Sequence, residues 1–169
     1  MELIRTRALR GPNLWSRHTA LEMEVRCEAD ERSVEERAGF EDRLRALCPG
    51  LGSLRTPTRH DSISLAHVLE STLLALQAAA GCPVTFSHTE VTSTEGVHLV
   101  VVEYTEEEVG RRALDMTLQI LQAAWSGAEA VASGADAPGE EAAALDGTAL
   151  VTELRDMDED LRLGPSTGA

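Results

Sequence analysis

A histidine and a glutamate stand three residues apart in the segment with the strongest helical pattern. At this spacing His67 and Glu70 lie on one face of a helix. A zinc hydrolase of the helical type needs two histidines four residues apart, a glutamate that activates water and a third ligand. Here Ser71 stands at the position of the second histidine, and Ala75 follows one turn later. We therefore expect a structural or vestigial pair and no zinc. The histidines that would have to complete a metal site are His18, His60, His88 and His98.

Two charged clusters are further candidates for binding. Arg10 and Arg17 flank a Gly-Pro turn, and a guanidinium group there can hold a carboxylate through two parallel hydrogen bonds. Glu103 and the run Glu106–Glu108 can attract a guanidinium group. The first pair is equally well explained by a surface salt bridge, and the second cluster by a solvated helix start. The sequence leaves both alternatives open.

The other reactive residue types predict structure rather than catalysis. His88 and His98 flank a predicted hairpin turn, and we expect them to be cross-strand partners on the surface. The three cysteines are odd in number and lack CxxC spacing, which predicts buried free thiols.

The charge of the chain excludes several classes of function. The formal net charge is -14, whereas phosphate backbones require a basic surface, so we expect no nucleic acid partner. All fifteen basic residues are arginine, so a P-loop, ATP-grasp or Schiff-base lysine is impossible within this chain. No apolar run approaches the roughly 18 residues that a membrane span needs, and we expect a cytoplasmic protein without a membrane partner.

The periodicity of the chain predicts an α+β fold with a largely antiparallel sheet of about four strands and two to three helices packed on it. Alternating apolar residues predict four strands, at 2–9, 19–27, 84–91 and 97–104. Residues 92–96 would join the last two strands as a hairpin loop. Helical spacing predicts four helices, from a capping box at Ser33 to Leu47, over 62–80, from 106 to about 125, and near 148–161. A polar loop is expected at 51–61.

The composition suggests three units. Residues 1–126 would form the first domain, and the stretch 127–147, rich in alanine, glycine and acids, would be a linker that can be helical in part. Residues 148–169 would supply a short helix and the start of a further domain.

Several ordered motifs resemble the N-terminal domain of cyanophycin synthetase. They cover most of the chain outside the linker and stand at intervals like those of the family. The motifs are Arg10-Gly11-Pro12-Asn13-Leu14-Trp15-Ser16, His67-Val68-Leu69-Glu70, Pro83-Val84-Thr85-Phe86, Thr92-Ser93-Thr94-Glu95-Gly96-Val97 and Val102-Glu103-Tyr104. The closing residues 154–156 and 162–167 resemble the family's transition to its ATP-grasp domain.

This resemblance implies a setting for the chain. Cyanophycin synthetases build a polymer of aspartate and arginine with ATP and Mg²⁺, in an ATP-grasp domain and a Mur-ligase-like domain of the same protein. The N-terminal domain holds the polymer and scaffolds a homo-oligomer. This chain would therefore bind an Asp/Arg polymer or an amino-acid-derived peptide, and would itself need no cofactor. The resemblance and the charged clusters together nominate substrate-binding residues, namely Arg10, Asn13, Trp15, Arg17, Thr92, Ser93 and Glu103.

Two alternatives remain at this stage. Some members of the family carry a metal-dependent hydrolytic site on a helix of the form HxxEHxxxE, which trims the polymer to primers. His67 and Glu70 match that form, whereas Ser71 and Ala75 depart from it. The other alternative is a stand-alone oligomerisation module without a ligand.

Overall fold

Strands and helices alternate in pairs along the part of the chain that the computed structural model describes, residues 1–28, 39–48, 63–132 and 146–163. The predicted cap at Ser33 and the predicted loop at 51–61 lie outside these ranges. The strands are β1 (Glu2–Leu9), β2 (Ala20–Arg26), β3 (Ser87–Val91) and β4 (Val97–Glu103). The helices are α1 (Phe40–Leu47), α2 (Leu65–Ala79), α3 (Glu107–Ala132) and α4 (Gly147–Leu163).

The four strands form one antiparallel sheet in the order β1-β2-β4-β3. Side chains alternate between the two faces of each strand. Leu21, Met23 and Val25 of β2 lie beside Val100 and Val102 of β4 on the face that belongs to the hydrophobic core. This arrangement confirms the predicted α+β fold with an antiparallel sheet.

The helices cover that core face. Leu69, Leu73 and Leu76 lie one turn apart along α2 and are fully buried, as the helical spacing predicts. Each such side chain contributes about 1.5–3 kcal/mol through burial. On α3, Met116 and Ile120 complete the same core. The aliphatic stripe that predicted the two long helices is therefore their packing surface.

Two predicted boundaries were wrong. β3 begins at Ser87 rather than at 84, because the amides of Thr85 and Phe86 donate to the carboxylate of Glu103 instead of joining the strand ladder. α3 continues to Ala132, past the predicted end near Trp125 and into the stretch expected to be a linker. The edge-to-face contact of Trp125 with Phe40 of α1, with ring centroids 5.5 Å apart, fixes α3 on α1 at this point.

α4 packs on the same hydrophobic core as the sheet and the other three helices. It starts at Gly147, where a Cβ atom would lie 2.3 Å from the carbonyl oxygen of Leu47. Leu154 is fully buried in the core cluster. In the described ranges no helix combines the length and the apolar composition that a membrane span requires. The three cysteines are buried, as predicted.

Candidate functional site

The face of the sheet opposite to the helices, called the outer face below, carries three ion pairs between neighbouring strands. Its members come from β1 and β2, where alternate residues point away from the core. The pairs are Arg5–Glu24 at 2.6 Å, Arg7–Glu22 at 2.7 Å and Arg26–Glu2 at 2.6 Å. The side chains of Arg5 and Arg7 are each 57% exposed, so their guanidinium groups can meet a ligand.

The loop of residues 10–18 folds over the outer face and places Trp15 on it. The indole stacks on the ring of His88, with centroids 5.2 Å apart and planes inclined by 29°. Its Nε1 donates to a carboxylate oxygen of Glu22 at 3.3 Å. Val101 lies between Glu22 and His88 in the strand register and is fully buried. Trp15 thus forms an aromatic rim next to the arginine–carboxylate pairs.

Asn13 organises this loop from within. Its Oδ1 accepts hydrogen bonds from the amides of Trp15 and Ser16, each at 2.9 Å. Its Nδ2 donates to the carbonyl oxygens of Arg10 at 3.3 Å and His18 at 2.9 Å. With these bonds made, Asn13 shapes the loop, and we infer that a ligand would meet its neighbours instead.

Glu103 also serves the fold. Its side chain is buried and accepts a hydrogen bond from the hydroxyl of Ser16. The same carboxylate accepts from the amides of Thr85 at 3.2 Å and Phe86 at 3.1 Å. One carboxylate therefore ties the loop of residues 10–18 to the start of the hairpin.

Arg10 and Arg17 are exposed at the two sides of this loop. Tyr104, at the end of β4, has a raised pKa because of burial, and the charge of Glu107 acts in the same direction. Arg111 and Arg10 oppose that shift. Arg7 shares the carboxylate of Glu22 with the indole of Trp15, so one exposed guanidinium group of β1 lies near Trp15.

Thr92 and Ser93 lie at the hairpin tip, at the other end of β4 from Glu103. Thr92 accepts a hydrogen bond at its hydroxyl from the amide of Thr94 and donates to the carbonyl of Val97 at 3.0 Å. The strand separates this tip from Glu103 by about 20 Å, at roughly 3.3 Å per residue. The predicted binding residues therefore form two groups, one at each end of the sheet.

His67 takes part in capping its own helix. Its Nδ1 lies 2.9 Å from the hydroxyl of Ser64, the residue that caps α2. Ser71 donates its hydroxyl to the carbonyl of His67 at 3.0 Å. Glu70 is half-buried on the same helix.

His98 lies next to His67, with ring centroids 6.0 Å apart. The expectation that His88 and His98 face each other was wrong. In the register His88 pairs with Val101 and His98 with Val91, which puts the two imidazoles on opposite faces of the sheet. His98 is buried on the helix side, and His88 belongs to the outer face under Trp15.

The residues around His67 do not fit the metal site of a helical zinc hydrolase. A cap hydroxyl already contacts the Nδ1 of His67, and Ser71 and Ala75 supply neither an imidazole nor a carboxylate. Within the described ranges no three His, Cys, Asp or Glu side chains are arranged so that they could hold a metal ion.

Sequence reasoning missed His88 and Glu22 as partners of Trp15. The sequence did contain a signal for the charged ladder. Arg5 and Arg7 on β1, and Glu22 and Glu24 on β2, stand at alternate positions and therefore on one face of each strand. Opposite charges at alternate positions of two neighbouring strands indicate a cross-strand ladder.

A family model described as the cyanophycin synthase-like N-terminal domain matches residues 20–126, more than half of the chain. The chain belongs to this family. The cyanophycin synthetase of Trichormus variabilis is 32% identical, in an alignment that covers 100% of this chain and 19% of that protein. The enzyme of Geminocystis herdmanii is 31% identical over 99% of the chain and 19% of its own length. That of Crocosphaera subtropica is 34% identical over 67% of the chain and 14% of its own length.

The relatives from Trichormus variabilis and Geminocystis herdmanii align with nearly all of this chain. The chain spans only about a fifth of the length of these two proteins. The matched residues 20–126 include the sheet strands β2, β3 and β4, and helices α1 and α2. The loop of residues 10–18 precedes them but lies within the alignment to the relative from Trichormus variabilis.

Proposed function

We propose that this chain is a non-catalytic domain that binds a polymer of aspartate and arginine and scaffolds an ATP-dependent ligase of the cyanophycin synthetase kind. The family membership supports the class of parent enzyme. The outer face, with the exposed guanidinium groups of Arg5 and Arg7 near Trp15, supports the class of ligand.

The observation that carries this proposal is the ladder formed by Arg5–Glu24 and Arg7–Glu22. A polymer with guanidinium and carboxylate groups can exchange partners with such pairs, because each group of the ladder finds an equivalent partner on the ligand. The Arg5–Glu24 pair has both side chains partly exposed, and such pairs contribute only about 0–1 kcal/mol, so its exchange costs little. Glu22 is buried and keeps its partners, so Arg7 would offer a ligand only the exposed part of its guanidinium group. Affinity then comes from several simultaneous contacts and falls as salt screens them.

The parent protein would perform its chemistry elsewhere. The chain has no lysine for nucleotide phosphates, and its relatives extend well beyond the aligned region. We infer that ATP and Mg²⁺ are used by an ATP-grasp domain, which adds aspartate, and by a Mur-ligase-like domain, which adds arginine. The present domain would keep the growing polymer near both, in a homo-oligomer.

A calorimetric titration of the chain with a synthetic Asp/Arg polymer tests the binding role. We expect measurable heat at low salt and at least a tenfold weaker affinity at about 0.5 M salt. The double variant R5Q/R7Q removes the ladder cations, and we expect it to weaken binding by about tenfold. The matched control is R111Q, which removes an equally short ion pair with Glu107 on α3. Equal affinities of R5Q/R7Q and R111Q would exclude the outer face as the binding surface.

The closeness of His67 and His98 keeps a metal-dependent hydrolase as the second candidate. Zinc analysis of the purified chain and an assay for release of short polymer fragments separate the two functions. We expect neither stoichiometric zinc nor release. One zinc per chain, lost together with polymer release in His67→Ala, would establish the hydrolase instead.

A further inference from the structure

α4 packs on the domain with one fully buried apolar side chain and three partly buried ones, Leu150, Val151 and Met157. Among its 17 residues, Leu154 is the one apolar side chain that is fully buried, and the next buried side chain along the helix is the carboxylate of Asp158. By contrast, α2 buries apolar side chains along most of its length. Apolar burial is the main source of stability for a packed helix, so α4 is anchored less firmly than α2.

Polar contacts supply much of the remaining attachment. Asp158 is only 3% exposed and pairs with Arg162 at 2.8 Å. It also accepts a hydrogen bond from the hydroxyl of Thr105, between β4 and α3, at 3.1 Å. Because a buried carboxylate needs its partners, these two contacts decide whether the end of α4 stays in place. We call Asp158, Arg162 and Thr105 the latch.

Two further contacts tie the middle of α4 to other helices. Glu153 pairs with Arg112 of α3 at 2.7 Å. Arg155 donates to the carbonyl oxygen of Ala79, at the end of α2, at 3.2 Å. Both involve exposed side chains, so they are weak on their own.

The two ends of α4 lie next to two buried cysteines. At its start, a Cβ on Gly147 would lie 3.1 Å from the Cα of Cys48. At its end, Cys82 is next to the latch: burial raises the pKa of its thiol, the hydrogen bond with Thr105 lowers it, and the charge of Asp158 raises it. The third thiol, Cys27, follows β2, and its amide bonds to Gly96 at the hairpin.

We propose that α4 is a detachable strap that opens as one unit while the sheet and the other helices stay folded, with the latch controlling the opening. The contacts run from the end of α1, over α3 and the end of α2, to the turn before α3. Opening therefore uncovers the ends of three elements and both Cys48 and Cys82. Partial opening of this kind is common for weakly packed elements at the edge of a domain.

The test is the alkylation rate of each cysteine under native conditions, measured by mass spectrometry on the full chain. The variant is R162Q, which breaks the latch and leaves Asp158 buried without its cation. Loss of Arg162 also removes a charge that lowers the pKa of Cys82, so it would slow alkylation if α4 stayed closed. We expect at least tenfold faster alkylation of both Cys48 and Cys82, with Cys27 unchanged.

The control R111Q removes an exposed pair on α3 away from the strap, and we expect it to leave all three rates unchanged. If R162Q raised the alkylation rates of all three cysteines together, the cause would be global unfolding, and the proposal of a detachable strap would be wrong. Faster alkylation of Cys82 alone would contradict opening as one unit.

Hydrogen exchange on the unmodified chain gives a second measurement that does not depend on a variant. Amides of α4 should exchange at least tenfold faster than those of β4. Equal protection of α4 and β4 would show that α4 leaves only when the whole domain unfolds, and the proposal would be wrong.

Discussion

Asn13 and Glu103 both hold the loop of residues 10–18. Asn13 bonds to four backbone groups from within the loop, and Glu103, at the end of β4, accepts a hydrogen bond from the hydroxyl of Ser16. Both residues looked like ligand-binding groups in the sequence, because polar residues near arginines also occur in binding sites. Their hydrogen bonds are made within the protein, so the proposed ligand would meet the exposed guanidinium groups of Arg5 and Arg7 instead.

Cys48 makes the stability of the domain sensitive to alkaline pH. Burial raises the pKa of its thiol from 9.0 to about 11. The folded state therefore holds the proton more tightly than the unfolded state, and the stabilisation is complete below about pH 9. It is lost as the pH rises from about 9 to about 11, by roughly 2–3 kcal/mol at 1.36 kcal/mol per pKa unit.

Urea unfolding at about pH 8 and about pH 11 measures this loss. The chain suits the measurement because it has no lysine and a single tyrosine, so few other groups titrate in this range. Between these two pH values we expect the free energy of unfolding to decrease less in Cys48→Ala than in the unmodified chain, because the Cys48 thiol is gone. Some decrease remains, since the other cysteines and Tyr104 still contribute. An identical decrease in both proteins would refute the role of Cys48.

At the scale of elements, two glycines should respond differently to the same substitution. A Cβ on Gly11 would lie 2.5 Å from the carbonyl oxygen of Arg17, which is backbone and cannot move away easily. A Cβ on Gly127 meets mainly the flexible end of Arg43. We expect Gly11→Ala to lower the free energy of unfolding by about 1–3 kcal/mol. Gly127→Ala should be neutral or slightly stabilising, because alanine is the better helix former.

Thermal and urea unfolding of the two variants give the comparison. Gly11→Ala should also weaken polymer binding, since the loop of residues 10–18 carries Trp15. Equal stabilities of the two variants would mean that the loop can open without cost.

Helices and strands whose hydrophobic pattern lies within one segment of the sequence were predicted correctly. The aliphatic stripe of α2 and the hairpin of β3 and β4 follow from periodicity alone. The start of β3 was missed, because the amides of Thr85 and Phe86 bond to the side chain of Glu103, a contact distant in sequence. The partner of Trp15 and the neighbour of His67 were missed for the same reason, since each is set by strand register.

At the scale of the whole molecule, salt should act on assembly and on binding in opposite directions. A chain with a net charge of -14 repels its own copies, and salt screens that repulsion. We expect the proposed homo-oligomer to strengthen with salt, whereas the proposed polymer binding weakens. Sedimentation velocity at low and at high salt measures the first effect. A monomer at every salt concentration would remove the scaffolding role from this chain alone.

The two tryptophans occupy opposite surroundings. Trp15 is half-buried on the outer face against His88, and Trp125 lies in the core against Phe40. Their fluorescence therefore separates two events in one spectrum. A ligand on the outer face should change the emission of Trp15, and only loss of the core should change that of Trp125. A Trp125→Phe variant would report on occupancy alone, without any attached dye.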